Sequence, residues 1–188
     1  MGVRARTGNL LGAVALGIAD RLEAEVQLAA GRLGARAAAL ATLAQWPGYT
    51  IEGLRHCLGL SHSATVRLID GLVEDGLVVR ERVGGGPAVR PRMTDAGEAA
   101  ARAVLAARSQ ALHSLTDPLS DEELSRLAPI LERLLESMTT DFYAGELICR
   151  LCELDDCPQH ICPVELMQRH HRAMGTKEAE PGEASKKR

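Results

Sequence analysis

Leu10, Val14, Ile18, Leu22 and Val26 recur four residues apart. That spacing keeps them on one slowly drifting face and predicts a long helix over Asn9–Ala30. The glycine-containing stretch 31–34 breaks it, and a second helix runs from Ala37 to Trp46, stopped by Pro47-Gly48. Thr50 caps a short helix over Ile51–Leu58, and Gly59-Leu60 forms a tight turn. Ser61 caps a fourth helix, His62–Glu74, whose Ala64, Leu68 and Leu72 share a face before Asp75-Gly76 ends it. The period then changes. Leu77–Val83 reads as a strand, Gly84-Gly85-Gly86-Pro87 as a turn, and Ala88–Met93 as a return strand that Pro91 confines to an edge or bulge. Thr94 caps a fifth helix running to about Leu115. After Asp117-Pro118, the capping box Ser120-x-x-Glu123 opens a helix carrying Leu124, Leu127, Leu131, Leu134, Leu135 and Met138, expected to reach Leu147 or beyond.

The fold class is therefore mainly α. Helix, glycine turn, helix and hairpin in this order make a winged helix-turn-helix over 35–96, with long helices before it (1–34) and after it (97–147). A Cys-rich segment covers 148–165, and the polar stretch 175–188 is expected to be disordered. Apolar residues make up 46% of the 188 and aromatics 2%, so the core must be aliphatic. No apolar run has the length of a membrane span. Arg4 and Arg6 precede an apolar run, but Asp20, Arg21, Glu23 and Glu25 continue it as an amphipathic helix, so no export signal is read and a cytoplasmic location is expected. The net charge of −3 is unevenly spread: residues 117–157 hold eleven acids and three bases, leaving the remainder mildly basic. A polyanion-facing side is compatible with that division.

In a winged helix-turn-helix, the second helix enters the major groove and its N-terminal residues reach base edges, while the hairpin extends towards the neighbouring minor groove. Here that helix is His62–Glu74. The candidate contacts are Ser61, His62, Ser63, Thr65 and Arg67 at its start, with Arg80, Arg82, Arg90 and Arg92 on the hairpin. Arg67 could instead pair with Asp70 or Glu74 on its own helix. Cys57 reads as a buried small apolar residue.

The stretch from Leu58-Gly59-Leu60-Ser61 through Asp75-Gly76-Leu77-Val78 resembles the recognition segment of the MarR family of bacterial regulators. Met93-Thr94-Asp95-Ala96-Gly97 is similar to that family's closing wing strand and helix start. The resemblance covers roughly Leu10 to Tyr143. It implies a homodimer held by the first and last helices, a pseudo-palindromic operator and a repressor role. The family's wing carries an Asp and an Arg near its tip, where this chain has Gly85 and Pro87; Arg90 or Arg92 would have to replace the arginine.

Four of the five cysteines fall within fourteen residues: Cys149, Cys152, Cys157 and Cys162. Cys149 and Cys152 lie three apart, so on a helix end their thiols face one way. Asp155, Asp156, Pro158 and Pro163 let the chain fold back so that four thiolates converge. Stable disulfides are rare in a reducing cytoplasm. Four soft ligands suit zinc first and an iron–sulfur cluster second, one centre per subunit. Arg150, with Arg169 or Arg172, would offset the charge, while His170 and His171 read as solvated. Because the resemblance gives the last long helix to a dimer interface, a metal beyond it would set the spacing of two reading heads.

No Gly-rich phosphate loop, zinc-protease signature or nucleophile with a nearby base is present, which argues against an enzyme. The expected function is a sequence-specific DNA-binding regulator. An iron–sulfur electron carrier, or a protein-interaction module with a winged domain that does not bind DNA, are the alternatives. A small-molecule effector is left open.

Overall fold

The computed structural model describes residues 2–31, 34–82 and 89–174. The expected wing turn Gly84–Pro87 and the expected disordered stretch 175–188 lie outside the described residues. Helix α1 (Val3–Ala30) ends on Gly31 at φ 60°, the left-handed conformation that glycine adopts without penalty. It starts six residues before the expected Asn9. Arg4, Ala5 and Arg6 are good helix formers, and the helix runs on through Thr7 and Gly8 without a break. Helices α2 (Ala35–Gln45), α3 (Ile51–Leu58) and α4 (His62–Glu74) follow. The caps of the last two are those the sequence predicts: the Thr50 hydroxyl accepts from the Gly53 N–H and the Ser61 hydroxyl from the Ala64 N–H.

Strands β1 (Val78–Arg82) and β2 (Val89–Met93) form an antiparallel hairpin in which Val78 faces Met93 and Arg80 faces Pro91. Proline is tolerated because, among the described residues, this sheet has only two strands, so both are edges. Helix α5 (Asp95–Thr116) begins on the Thr94 cap and packs along α1 and α2. Helix α6 (Asp121–Met138) starts with the complete Ser120/Glu123 capping box.

One expectation needs correction at the C-terminal end, and one helix was not foreseen there. The α6 helix does not reach Leu147. It stops at Met138, and a separate helix α7 (Phe142–Cys149) starts on Asp141, whose carboxylate accepts from the Ala144 N–H at 2.8 Å. An eighth helix, α8 (Pro163–Ala173), follows the cysteine segment, with proline at its first position, where the missing N–H costs nothing.

The main core gathers Leu40 and Leu43 of α2, Leu54 and Leu58 of α3, Ile69 and Leu72 of α4, and Val78 of the hairpin. Alanines 37, 38, 39 and 41 of α2 are all buried and let its neighbours approach closely. A second cluster joins Val26 of α1 to Val104 and Ala107 of α5. Leu151, between two of the cysteines, packs against both clusters. Among the described residues, no helix is long and apolar enough to cross a membrane.

Candidate nucleic-acid interface and cysteine segment

The start of α4 projects from the surface. Ser61, His62, Ser63 and Arg67 are exposed, and the Ser61 and Ser63 hydroxyls lie 3.3 Å apart. His62 is 67% exposed, with Nδ1 3.6 Å from Oε2 of Glu52 on α3. The Arg67 Nε donates to the Ser63 carbonyl at 3.3 Å, so Arg67 folds back along its own helix rather than to the acids considered above. Asp70 pairs instead with Arg80 of β1 at 2.5 Å, which ties the hairpin to the helix. Thr65 must be withdrawn as a base contact. It is fully buried, and its hydroxyl donates to the Ser61 carbonyl at 3.0 Å. That bond satisfies a polar group on the core side of the helix, where no base can reach it.

On the hairpin, Arg80, Arg82 and Arg92 are exposed and Arg90 is half-buried. Arg92 lies 3.4 Å from Glu81, and the Arg90 guanidinium rests beside Gly48 in the turn between α2 and α3. Beneath them opens a cleft of about 580 Å³, lined by Leu43, Pro47, Arg90, Arg92, Met93 and Arg102 among others.

On α3, Glu52 receives Arg55 at 2.7 Å and His56 at 3.2 Å as well as His62. These partners, the Arg55 hydrogen bond foremost, hold its carboxyl below the usual range. The His56 ring stacks on Tyr143 of α7, centroids 3.8 Å apart. A chain of contacts therefore runs from α7 through α3 to the first residue of α4.

The segment after α6 lies against the winged helix of its own chain. The Gln45 side-chain amide of α2 donates to the Cys152 carbonyl at 2.6 Å and accepts from the Leu154 N–H at 2.8 Å. The Tyr49 hydroxyl donates to the buried Glu146 carboxylate at 2.5 Å; burial first, then that negative neighbour, raise the phenol above its ordinary range. Cys57 is buried, its Sγ 3.4 Å from the Thr42 hydroxyl and 3.7 Å from the Glu146 carbonyl, and burial raises its thiol to about 11. Helix α8 is anchored in turn. Buried Gln168 donates to the Phe142 carbonyl at 2.7 Å, and Arg172 covers the Phe142 ring at 4.5 Å. His171 is not simply solvated, since its Nε2 meets the Thr139 carbonyl at 2.9 Å.

The four clustered cysteines are free thiols. The neighbouring Cys152 thiol, burial and the other cysteines raise Cys149, while Cys149 and Arg108 lower Cys152. Burial and the neighbouring Cys162 thiol raise Cys157 to about 11. Among the described residues, no three potential ligands are arranged around one point as an ion requires. The cation beside the thiols is Arg108 of α5 rather than the expected arginines. Arg150 turns to the Leu147 carbonyl and Arg169 to Glu165.

A family model of the MarR family matches residues 31–86, which take in α2, α3, α4 and β1. A MarR family protein from Bacillus stearothermophilus superposes with a TM-score of 0.65 at 27% identity, covering 74% of this chain and 99% of that one. The chain carries a MarR-family domain. MepR, a transcription regulator of the Staphylococcus aureus multidrug efflux pump MepA, shares the fold at TM-score 0.61 and 17% identity, covering 69% of this chain and 96% of that one. CouR from Rhodococcus jostii RHA1, solved bound to p-coumaroyl-CoA, shares it at TM-score 0.54 and 22% identity, covering 71% and 94%. No curated protein gives a significant match.

The residues that sequence reasoning missed are those joining the MarR-family domain to the C-terminal segment: Thr42, Gln45, Tyr49 and Glu146. Each pair spans about a hundred residues. The one signal available was an acid, Glu146, within the apolar run of α7.

Proposed function

We propose that this chain is a sequence-specific regulator that binds duplex DNA as a homodimer and represses by occupying a pseudo-palindromic operator. The observation that carries the proposal is the exposed start of α4. There Ser61, His62, Ser63 and Arg67 are all exposed, and Arg80 of the hairpin pairs with Asp70 of the same helix. Helix dimensions suit the major groove, and short hydroxyls and an imidazole offer donors and acceptors to base edges. Arg82, Arg90 and Arg92 supply charge for the flanking phosphates.

A second copy is supported by apolar surface that this chain leaves uncovered. Helix α6 has no buried residue, and its Ile130, Leu131 and Met138 are 51%, 44% and 58% exposed. On α1, Leu10, Leu11 and Val14 are exposed as well. Apolar faces of this extent mark interaction surfaces.

Selection from a random duplex pool is expected to return an inverted repeat with half-sites about 10 base pairs apart, centre to centre. A pool without such a repeat would overturn the proposal. Ser63→Ala should relax base preference more than it lowers nonspecific affinity. On the hairpin, Arg90→Ala and Arg92→Ala should each flatten the salt dependence of binding by about one unit of slope. Unchanged slopes in both variants would show that the root of the hairpin does not meet phosphate.

A further inference from the structure

The stretch from Cys149 to Cys162 is built from turns, and each downstream cysteine amide closes one of them. Cys152 N–H donates to the Cys149 carbonyl at 2.8 Å, Cys157 to Glu153 at 3.1 Å and Cys162 to Pro158 at 3.1 Å. These turns hold the four free thiols in one short stretch, where the other three influence Cys149 electrostatically. Apolar packing contributes little: Ile161 is exposed, and Leu151 is the residue of the stretch that packs against the core clusters, with Gln45 holding the backbone at Cys152 and Leu154.

We propose that Cys149, Cys152, Cys157 and Cys162 together bind one zinc ion per chain, and that this ion holds α7 and the following turns against α2 and α3 of the same winged helix. With Zn–S bonds of about 2.3 Å, the edges of a ZnS4 tetrahedron are roughly 3.8 Å. The four thiols are not arranged around one point in the free chain, so the ion has to draw them in. Zinc displaces the thiol protons, which leave to solvent. Four thiolates around a divalent ion leave a charge of −2, beside which Arg108 already stands. Cys162 occupies the N-cap of α8 without a side-chain cap bond, and a thiolate there meets the positive end of the helix dipole.

The placement of the site changes what it controls. The sequence assigns it the spacing between two reading heads. In the structure it bears on the reading head directly. Gln45 grips the backbone between Cys152 and Leu154, Leu151 packs against the winged-helix core, and Tyr143 stacks on His56, which shares Glu52 with His62 at the start of α4. Loss of the ion frees those turns and with them the brace under α4. This last step rests on the DNA-binding function proposed above; zinc binding and its effect on α3 do not.

The test uses the full chain, purified without chelator and without air. Elemental analysis should find one zinc per chain, retained by Cys57→Ser and lost from Cys149→Ser and from Cys157→Ser. Protein with no metal and four free thiols, paired disulfides, or a brown protein absorbing near 400 nm each overturns the proposal. Removing zinc should speed amide hydrogen exchange in both Cys149–Cys162 and Ile51–Leu58, while the α1 and α5 amides keep their protection. Unchanged exchange in Ile51–Leu58 overturns the coupling. Operator affinity should fall about tenfold on zinc removal. Gln45→Ala should keep its zinc yet lose this response; a full response in that variant overturns the route through Gln45. Zinc-loaded protein that binds no operator at all would instead defeat the proposed function, because metal content and exchange are read without DNA.

Discussion

Leu54→Ala is expected to lower the unfolding free energy by about 2–5 kcal/mol, towards the upper end of that range. Leu54 is 0% exposed and sits where α2, α3 and α4 meet, among Ala38, Ala39, Leu40, Leu58 and Ile69. The cost of a large-to-small change depends on how far the surroundings can close the void. Here the cluster includes Ala38 and Ala39, which have no rotamers to swing inward, and helices α2, α3 and α4 all contribute to it. Urea unfolding followed by circular dichroism measures the loss, with the midpoint falling and the slope unchanged. A loss below about 1 kcal/mol would mean that the helices collapse onto the site, contrary to the tight packing described.

Gly97→Ala is expected to cost roughly 3 kcal/mol, the heavy end of overpacking changes. A Cβ at that position would lie 2.0 Å from the Leu77 carbonyl oxygen. Both partners are backbone, so no side-chain rotation relieves the clash. The same carbonyl accepts from the Thr94 N–H at 3.0 Å, and the Thr94 hydroxyl donates to the Gly76 carbonyl at 2.7 Å. Separating Leu77 from Gly97 therefore also pulls at the bonds that join α5 to the hairpin. Gly12→Ala in α1 is the control. Its Cβ would meet nothing within 4 Å, and alanine should stabilise the helix by up to about 1 kcal/mol. Thermal unfolding of the two variants should shift in opposite directions; a Gly97→Ala protein as stable as the parent would refute the close approach.

The parts of the fold that were legible in the sequence are those set by nearby residues. Thr50, Ser61, Thr94 and Ser120 each cap a helix through an amide three positions on, and that spacing is visible in one dimension. The end of α6 was not legible because the apolar pattern continues through Phe142, Tyr143 and Ile148 after the helix has stopped. The break is made by Thr139, whose hydroxyl turns back to the Leu135 carbonyl at 2.8 Å, and by the Asp141 cap. The α8 helix hid behind Cys162-Pro163, which reads equally as a turn and as a helix start. At the recognition helix, Thr65 looks like another polar residue in a polar run. Only the fold shows it turned inward beside Ile69, its hydroxyl already occupied. The contacts between Gln45 and Cys152, and between Tyr49 and Glu146, join residues too far apart for any local pattern to record.

The grip of Gln45 has a consequence for how this chain can change over time. A primary amide both donates and accepts, and here it meets one carbonyl and one N–H, at Cys152 and Leu154. It therefore acts as a single rung of ladder pairing and holds the main chain without touching the side chains there. Substitution of Glu153 or Leu154 by any residue other than proline leaves the rung in place, whereas Gln45→Glu removes the donor and sets a carboxylate against the Cys152 carbonyl. The constraint that keeps the two ends of the molecule joined thus falls on position 45 rather than on the residues it holds, and the loop beside the cysteines is free to drift in composition while its attachment persists.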